Sequence, residues 1–178
     1  MPLPVAHGLL GACIVAALHE KPTRIRYSLS LLAGALLANA ADLDFLLVAV
    51  LQSKSWHRGF THSILFSLMM CLLFLFVLRN ARIRNALGYG LAFASHGLLD
   101  YLTTKNGSGV ELLWPFSTAR LKLGWPGLSE VPSRLTWIQI FQALALETAI
   151  FSVLFIAILL VRSLLAKEYK LNAGRDVL

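Results

Sequence analysis

The chain has 178 residues, 57% of them hydrophobic and only 14% charged, with a mean hydropathy of +0.70. A soluble domain carries about 25% charged residues, so this composition excludes an ordinary soluble globule and points to an integral membrane protein. The formal net charge of +7 then reads as cytoplasmic anchoring charge, and no soluble basic motif offers a nucleic-acid footprint.

The first apolar segment runs from about Pro4 to Leu18. No Lys or Arg precedes it and His7 sits in its first turn, so it reads as a short retained helix and not as a secretory signal. A basic link broken by Pro22 leads to segment two, Tyr27 to Leu51, long enough to cross about 30 Å of hydrocarbon. Asp42 and Asp44 interrupt its second half. A polar loop, Gln52 to Thr61, precedes the almost wholly apolar segment three, His62 to Leu78. After a basic turn (Arg79, Arg82, Arg84) comes segment four, Asn85 to Thr103. The stretch Thr104 to Arg134 holds glycines, prolines, Trp114 and Trp125, and is too long to be mere connection. Segment five, Leu135 to Leu165, is followed by a charged tail, 166–178. Cys13 and Cys71 lie in apolar segments and fit no metal-ligand spacing. The expected fold is all-α: one domain, a polytopic transmembrane helical bundle of about five spans.

Five spans put the termini on opposite sides. Lys21, Arg24, Arg26, Arg79, Arg82, Arg84, Arg162, Lys167, Lys170 and Arg175 fall on one side. Lys54, Arg58, Lys105, Arg120, Lys122 and Arg134 fall on the other. The denser side is expected to be cytoplasmic, which places the N-terminus and the 104–134 loop on the extracytoplasmic side. Asp42 and Asp44 then lie roughly 10–14 Å below the outer surface, and His96 and Asp100 at most about 10 Å below it, at 1.5 Å per residue. His7, His57 and His62 sit near the same level. Independent structural polar residues would scatter in depth, so the shared depth argues for one site.

His96 and Asp100 are four apart, on one helical face, and an imidazole and a carboxylate there can share a metal ion. A charged group in an apolar segment is a functional candidate by default. Zinc suits this ligand set best and manganese also fits. A bound ion with an open position acidifies water, and two ions bridged by a carboxylate would clamp a phosphoester. Expected metal ligands are His7, Asp42, His62, His96 and Asp100. Asp42 and Asp44 diverge by about 200° on a regular helix, so both reach one centre only if the helix breaks there; otherwise Asp42 is the ligand. In His57-Arg58-Gly59-Phe60-Thr61-His62-Ser63, Gly59 permits close backbone approach or positive φ. Thr61 is placed to cap segment three, and Arg58 offers a fork for an anion. Asp44 and His57 are expected as further ligands or proton-transfer groups.

His7, Asp42-Leu43-Asp44, the His57-to-Ser63 string, His96-Gly97-Leu98-Leu99-Asp100 and Leu113-Trp114-Pro115-Phe116-Ser117 together resemble the YdjM/YbcI-type family of bacterial inner-membrane proteins. The resemblance covers roughly residues 5 to 120 and implies a metal-dependent hydrolase. That family usually has Pro before the first Asp of its acidic pair; here it is Ala41. The ligand order is more distantly similar to the helical zinc phospholipase C and P1 nuclease group. With no histidine after His96, one or two divalent ions are the most these residues support. The expected activity is hydrolysis of a phosphoester or related bond in a lipid or envelope precursor, at the extracytoplasmic side of the bacterial inner (plasma) membrane. The expected partners are the lipid bilayer and a lipid-like or envelope small molecule, with the oligomeric state left open. Two alternatives stand beside it: a metal or proton transporter, or a non-catalytic membrane scaffold with a structural metal. Glu147 is expected about 18 Å down segment five, below the site, as a helix contact. His19 is expected at the cytoplasmic interface, Glu111 and Lys105 as solvated loop charges, and Trp114, Trp125 and Trp137 in an aromatic belt.

Overall fold

A computed structural model describes residues 2–19, 24–78, 83–105, 107–125 and 136–175. Among the described residues six α-helices carry the fold: α1 Pro4–Leu18, α2 Arg24–Leu37, α3 Asp44–Leu51, α4 Ile64–Val77, α5 Ile83–Thr103 and α6 Trp137–Arg175. No strand occurs among the described residues; one antiparallel bridge, Val110 with Leu121, ties the long loop to itself. The all-α expectation holds. Lys21, Arg79, Arg82 and Arg134, on which part of the charge asymmetry rests, lie outside the described residues, as do the breaker Pro22 and 126–135 of the long loop.

The spans are less regular than the hydropathy suggests. Among the described residues one helix, Trp137–Ala166, is long and apolar enough to cross a membrane; there are up to three such segments if each bent pair is one span. α5 has the length, but its glycines, Ser95, His96 and Asp100 dilute its hydropathy, and α1 is shorter still. The first bent pair is the expected segment two. It is not one helix: α2 stops at Leu37, a 3-10 turn spans Ala40–Leu43, and α3 leaves at 50°. The break forms although Ala41 stands where Pro was expected. The second pair bends by 52° between Lys54–His62 and Ile64–Val77. α6 continues into the charged end as far as Arg175, a stretch in which Ala, Lys, Glu and Leu favour helix.

α1 is the central strut, packed against α2, α5 and α6, while α4 packs on α5. Its contacts run through small residues: Gly8 lies against Ala35, Gly11 against Gly34 and Ala38, and Gly88 against the Val15 backbone. Such residues let helix backbones approach closely. At Gly11 the approach is tight enough that a Cβ would collide with the Gly34 carbonyl.

α6 holds α1 by both ends. Glu147 Oε2 accepts from Leu3 N–H at 2.9 Å, and Arg162 Nη1 donates to the Ala16 carbonyl. These are the only charged side chains in Trp137–Ala166. They meet the positive N-terminal and negative C-terminal ends of the α1 macrodipole. α1 has no acidic residue in its first turn and no basic one in its last, so α6 supplies what α1 lacks. Glu147 therefore lies level with the start of α1, one turn from His7, and not below the site as depth counting placed it. That count assumed helices starting at a common surface. α6 instead overhangs α1: Trp137 to Glu147 is ten residues, about 15 Å of helix.

Candidate metal centre

Four elements converge on one buried cluster. α1 brings His7, the 3-10 turn between α2 and α3 brings Asp42, the turn Phe60–His62 brings His62, and α5 brings His96 and Asp100. His7, His62, His96 and Asp100 are fully buried, and the Asp42 side chain is 18% exposed. His96 Nε2 lies 3.3 Å and His62 Nε2 3.6 Å from Asp42 Oδ1. His7 Nε2 lies 3.5 Å from Asp100 Oδ1, and His62 Nε2 3.9 Å from Asp100 Oδ2. The His7 and His96 rings stack at 3.9 Å.

None of these facing atoms is hydrogen-bonded. His7 Nε2, Asp42 Oδ1, His62 Nε2, His96 Nε2 and both Asp100 oxygens are buried without a hydrogen-bond partner. Leaving a buried polar atom unsatisfied costs about 1–3 kcal/mol, so a concentration of such atoms in one place needs a reason. Donors about 2.0–2.2 Å from a tetrahedral ion are roughly 3.4 Å apart along each edge. The spacings here match that edge better than they match a hydrogen bond. Two sets, His7-His96-Asp100 and Asp42-His62-His96, each offer atoms within 4.8 Å of one another. They share His96, which presents only one nitrogen inward.

That inward nitrogen is fixed from behind. His96 Nδ1–H donates to the Ala38 carbonyl at 2.6 Å, leaving the Nε2 lone pair facing the cluster. His62 is oriented likewise: its Nδ1 lies 2.9 Å from Thr61 Oγ1, which in turn donates to Asp44 Oδ2 at 3.1 Å. These tautomers follow from the hydrogen-bond network. Such backing partners hold histidine ligands in orientation at metal sites. Gly97, between His96 and Asp100, makes room for this turn; a Cβ there would collide with the His62 carbonyl oxygen.

The broken helix turns the two aspartates to different tasks. Asp42 faces the histidines. Asp44 instead accepts from Arg58 N–H at 2.8 Å, from Thr61, and from His57 Nδ1 at 3.0 Å. It ties down the loop that carries His62. Although Asp42, Asp44 and His57 also form a candidate group, the oxygens of Asp44 are already engaged. His57 stacks on Phe45 at 4.0 Å and keeps 21% exposure at the rim.

Arg58, expected as a fork for an anion, already has a partner within the chain. It is buried, and its Nε lies 3.3 Å from Asp100 Oδ2. Its carbonyl accepts from Glu111 N–H, which joins the long loop to the site. Positive φ falls at Arg58 (60°) and not at Gly59, whose φ is −83°. Thr61 does not cap the next helix. Ser63 does, accepting from Phe66 N–H at 3.1 Å, and Thr61 is thereby released to Asp44.

Outside the cluster, His19 is buried just past the end of α1, with Nε2 3.3 Å from the Asn85 carbonyl and an edge contact to Tyr89. Glu111 is not a free loop charge but pairs with Arg120 at 3.1 Å. Trp114 packs on Phe60 at 5.6 Å, while Trp125 and Trp137 are exposed. Sequence reading missed the Ala38 carbonyl, the Thr61–Asp44 link and the tethering of α1 by Glu147 and Arg162. Of these only Thr61 left a signal, as a hydroxyl beside His62.

The model of the YdjM inner membrane protein family matches residues 1–170 of the chain. Inner membrane protein YbcI of Escherichia coli (strain K12) is 34% identical over 142 residues, which is 76% of this chain and 80% of that protein. No solved structure matches the chain.

Proposed function

The chain belongs to the YdjM inner membrane protein family, and we propose that its buried cluster holds one divalent cation, zinc or manganese, and hydrolyses a phosphoester or related bond in a lipid or envelope precursor. The supporting observation is charge. Asp42, Asp44 and Asp100 bring three negative charges into a buried site, and Arg58 returns one positive. With neutral histidines two negative charges are left over, a large desolvation cost. One divalent cation balances them; two would overshoot. The ligands are His7, Asp42, His62, His96 and Asp100.

A bound ion supplies acidified water and a Lewis-acid hold on a phosphoryl oxygen. The chain's own groups do the rest. Asp44 fixes the loop bearing His57, Arg58 and His62. Arg58 neutralises Asp100 and lies where an anionic group beside the cluster would meet it. His57, at the exposed rim, exchanges protons with the substrate or leaving group. In the bilayer, the bent pairs and α6 supply the apolar spans, α5 crosses as a more polar helix and α1 as a shorter strut. The five-span arrangement puts the cluster toward the extracytoplasmic side, as the basic-residue asymmetry favours.

Metal analysis of the purified protein is the first test. His96→Ala and Asp100→Asn each lower bound metal, and His19→Ala does not. Hydrolysis is then assayed against lipid phosphoesters. Undiminished metal in both site variants removes the centre, and metal without turnover of any phosphoester leaves a structural site.

A further inference from the structure

We propose that the gap between α3 and α4 is an acyl-chain groove, through which a bilayer lipid enters sideways and brings its polar group to the cluster; this rests on the reading of the cluster as a hydrolytic metal site. The two helix breaks create the gap. α3 and α4 are swung away by 50° and 52° from their preceding segments and make no substantial contact with each other. Between them lies a cavity of about 280 Å³, walled by Leu43, Leu47, Phe66 and Met70 and floored by Phe93. Its lining is apolar except for Asp44 and Thr61, which begin α3 and precede α4 and so mark its polar end. These are the two residues that hold His57 and His62 in place.

The occupant follows from that polarity and from the surroundings. Drug-sized ligand pockets run from about 300 to 1,000 Å³, so this groove suits a single chain and not a bulky head. Both walls belong to the bent pairs that are long and apolar enough to be spans, and their outer residues Leu43, Leu46, Met69 and Leu73 are exposed. The groove therefore opens to hydrocarbon. Asp44 is two residues from Asp42 and holds His57, and Thr61 holds His62, so the polar residues of the groove adjoin the cluster. An acyl chain lying against Phe66 and Phe93, whose rings are 5.7 Å apart, keeps its own polar group beside the cluster.

The test uses the full-length protein as purified, in vesicles of phosphatidylethanolamine and phosphatidylglycerol. A share of the phosphatidylglycerol carries a diazirine on one acyl chain. Illumination and peptide mass spectrometry are expected to find adducts on Phe66, Met70 and Phe93. A lipid that only coats the helices reaches Leu46 and Met69, but not Phe93, which is 4% exposed. Met70→Trp and, separately, Leu47→Trp fill the groove. Displacing two methylenes at about 0.8 kcal/mol each lowers Phe93 labelling roughly tenfold. Labelling of Phe141 and Val153 on α6 stays unchanged and reports a folded, inserted chain. Labelling confined to exposed residues overturns the groove, as does undiminished Phe93 labelling in variants that keep their α6 adducts. Metal measured on the same samples separates the two readings. Groove labelling without metal sinks the hydrolase alone, and metal without groove labelling sinks the groove alone.

Discussion

Gly97→Ala sets two opposed effects against each other in one helix. Ala in a helix interior gains about 0.5–1 kcal/mol over Gly. At position 97 the added methyl meets the carbonyl oxygen, carbonyl carbon and Cα of His62. These are backbone atoms, held in place by the His62–Gly59 hydrogen bond and the Asp44 ties. They cannot rotate away, and overpacking of this kind costs about 1–3 kcal/mol. The clash wins, with a net loss of roughly 1–2 kcal/mol. The strain is relieved only by moving α5 off the His62 turn, which separates His96 and Asp100 from His62. Gly88→Ala is the internal control. There the methyl meets His19 Cδ2 at 3.3 Å, a side-chain atom able to give by a few tenths of an ångström. Thermal unfolding and metal content are measured together on both variants. Gly97→Ala is expected to lower both, and Gly88→Ala neither. Wild-type midpoint and metal content in Gly97→Ala would show that the turn and α5 are not in the close register described.

Stripping the metal with a chelator leaves two uncompensated negative charges in the cluster, so the thermal midpoint of the wild type falls, and it falls less in Asp42→Asn; a midpoint indifferent to chelator in both contradicts the charge balance. Glu147→Ala leaves Leu3 N–H without its carboxylate and costs about 1–3 kcal/mol; metal affinity falls with stability because α1 carries His7, and wild-type affinity in this variant would uncouple α6 from the site. Arg58→Lys keeps the charge beside Asp100 but loses the planar fork. Its metal content and midpoint stay near wild type, while turnover of an anionic phosphoester drops by about 10²–10³, the cost of one lost transition-state donor. Equal turnover would remove Arg58 from the chemistry.

Composition and spacing alone mark this as a helical membrane protein and single out His7, His62, His96, Asp100 and one of the pair Asp42 and Asp44 as a polar set in apolar segments. Five imidazoles and carboxylates in apolar segments are too costly to be incidental, and the four-residue spacing of His96 and Asp100 fixes their common face. The division of labour between Asp42 and Asp44 belongs to the tertiary structure. On a straight helix they point apart. The 3-10 turn at Ala40–Leu43 decides which meets the histidines and which holds the loop. The string around Arg58 marks it as a fork for an anion, but its partner Asp100 is 42 residues away and arrives only when α5 packs against the turn. Glu147 was misplaced for a related reason. Rise per residue measures depth along one helix and carries no information on how far that helix overhangs its neighbours. Only the packing of α1 along α6, with a charge at each end of α1, sets that offset.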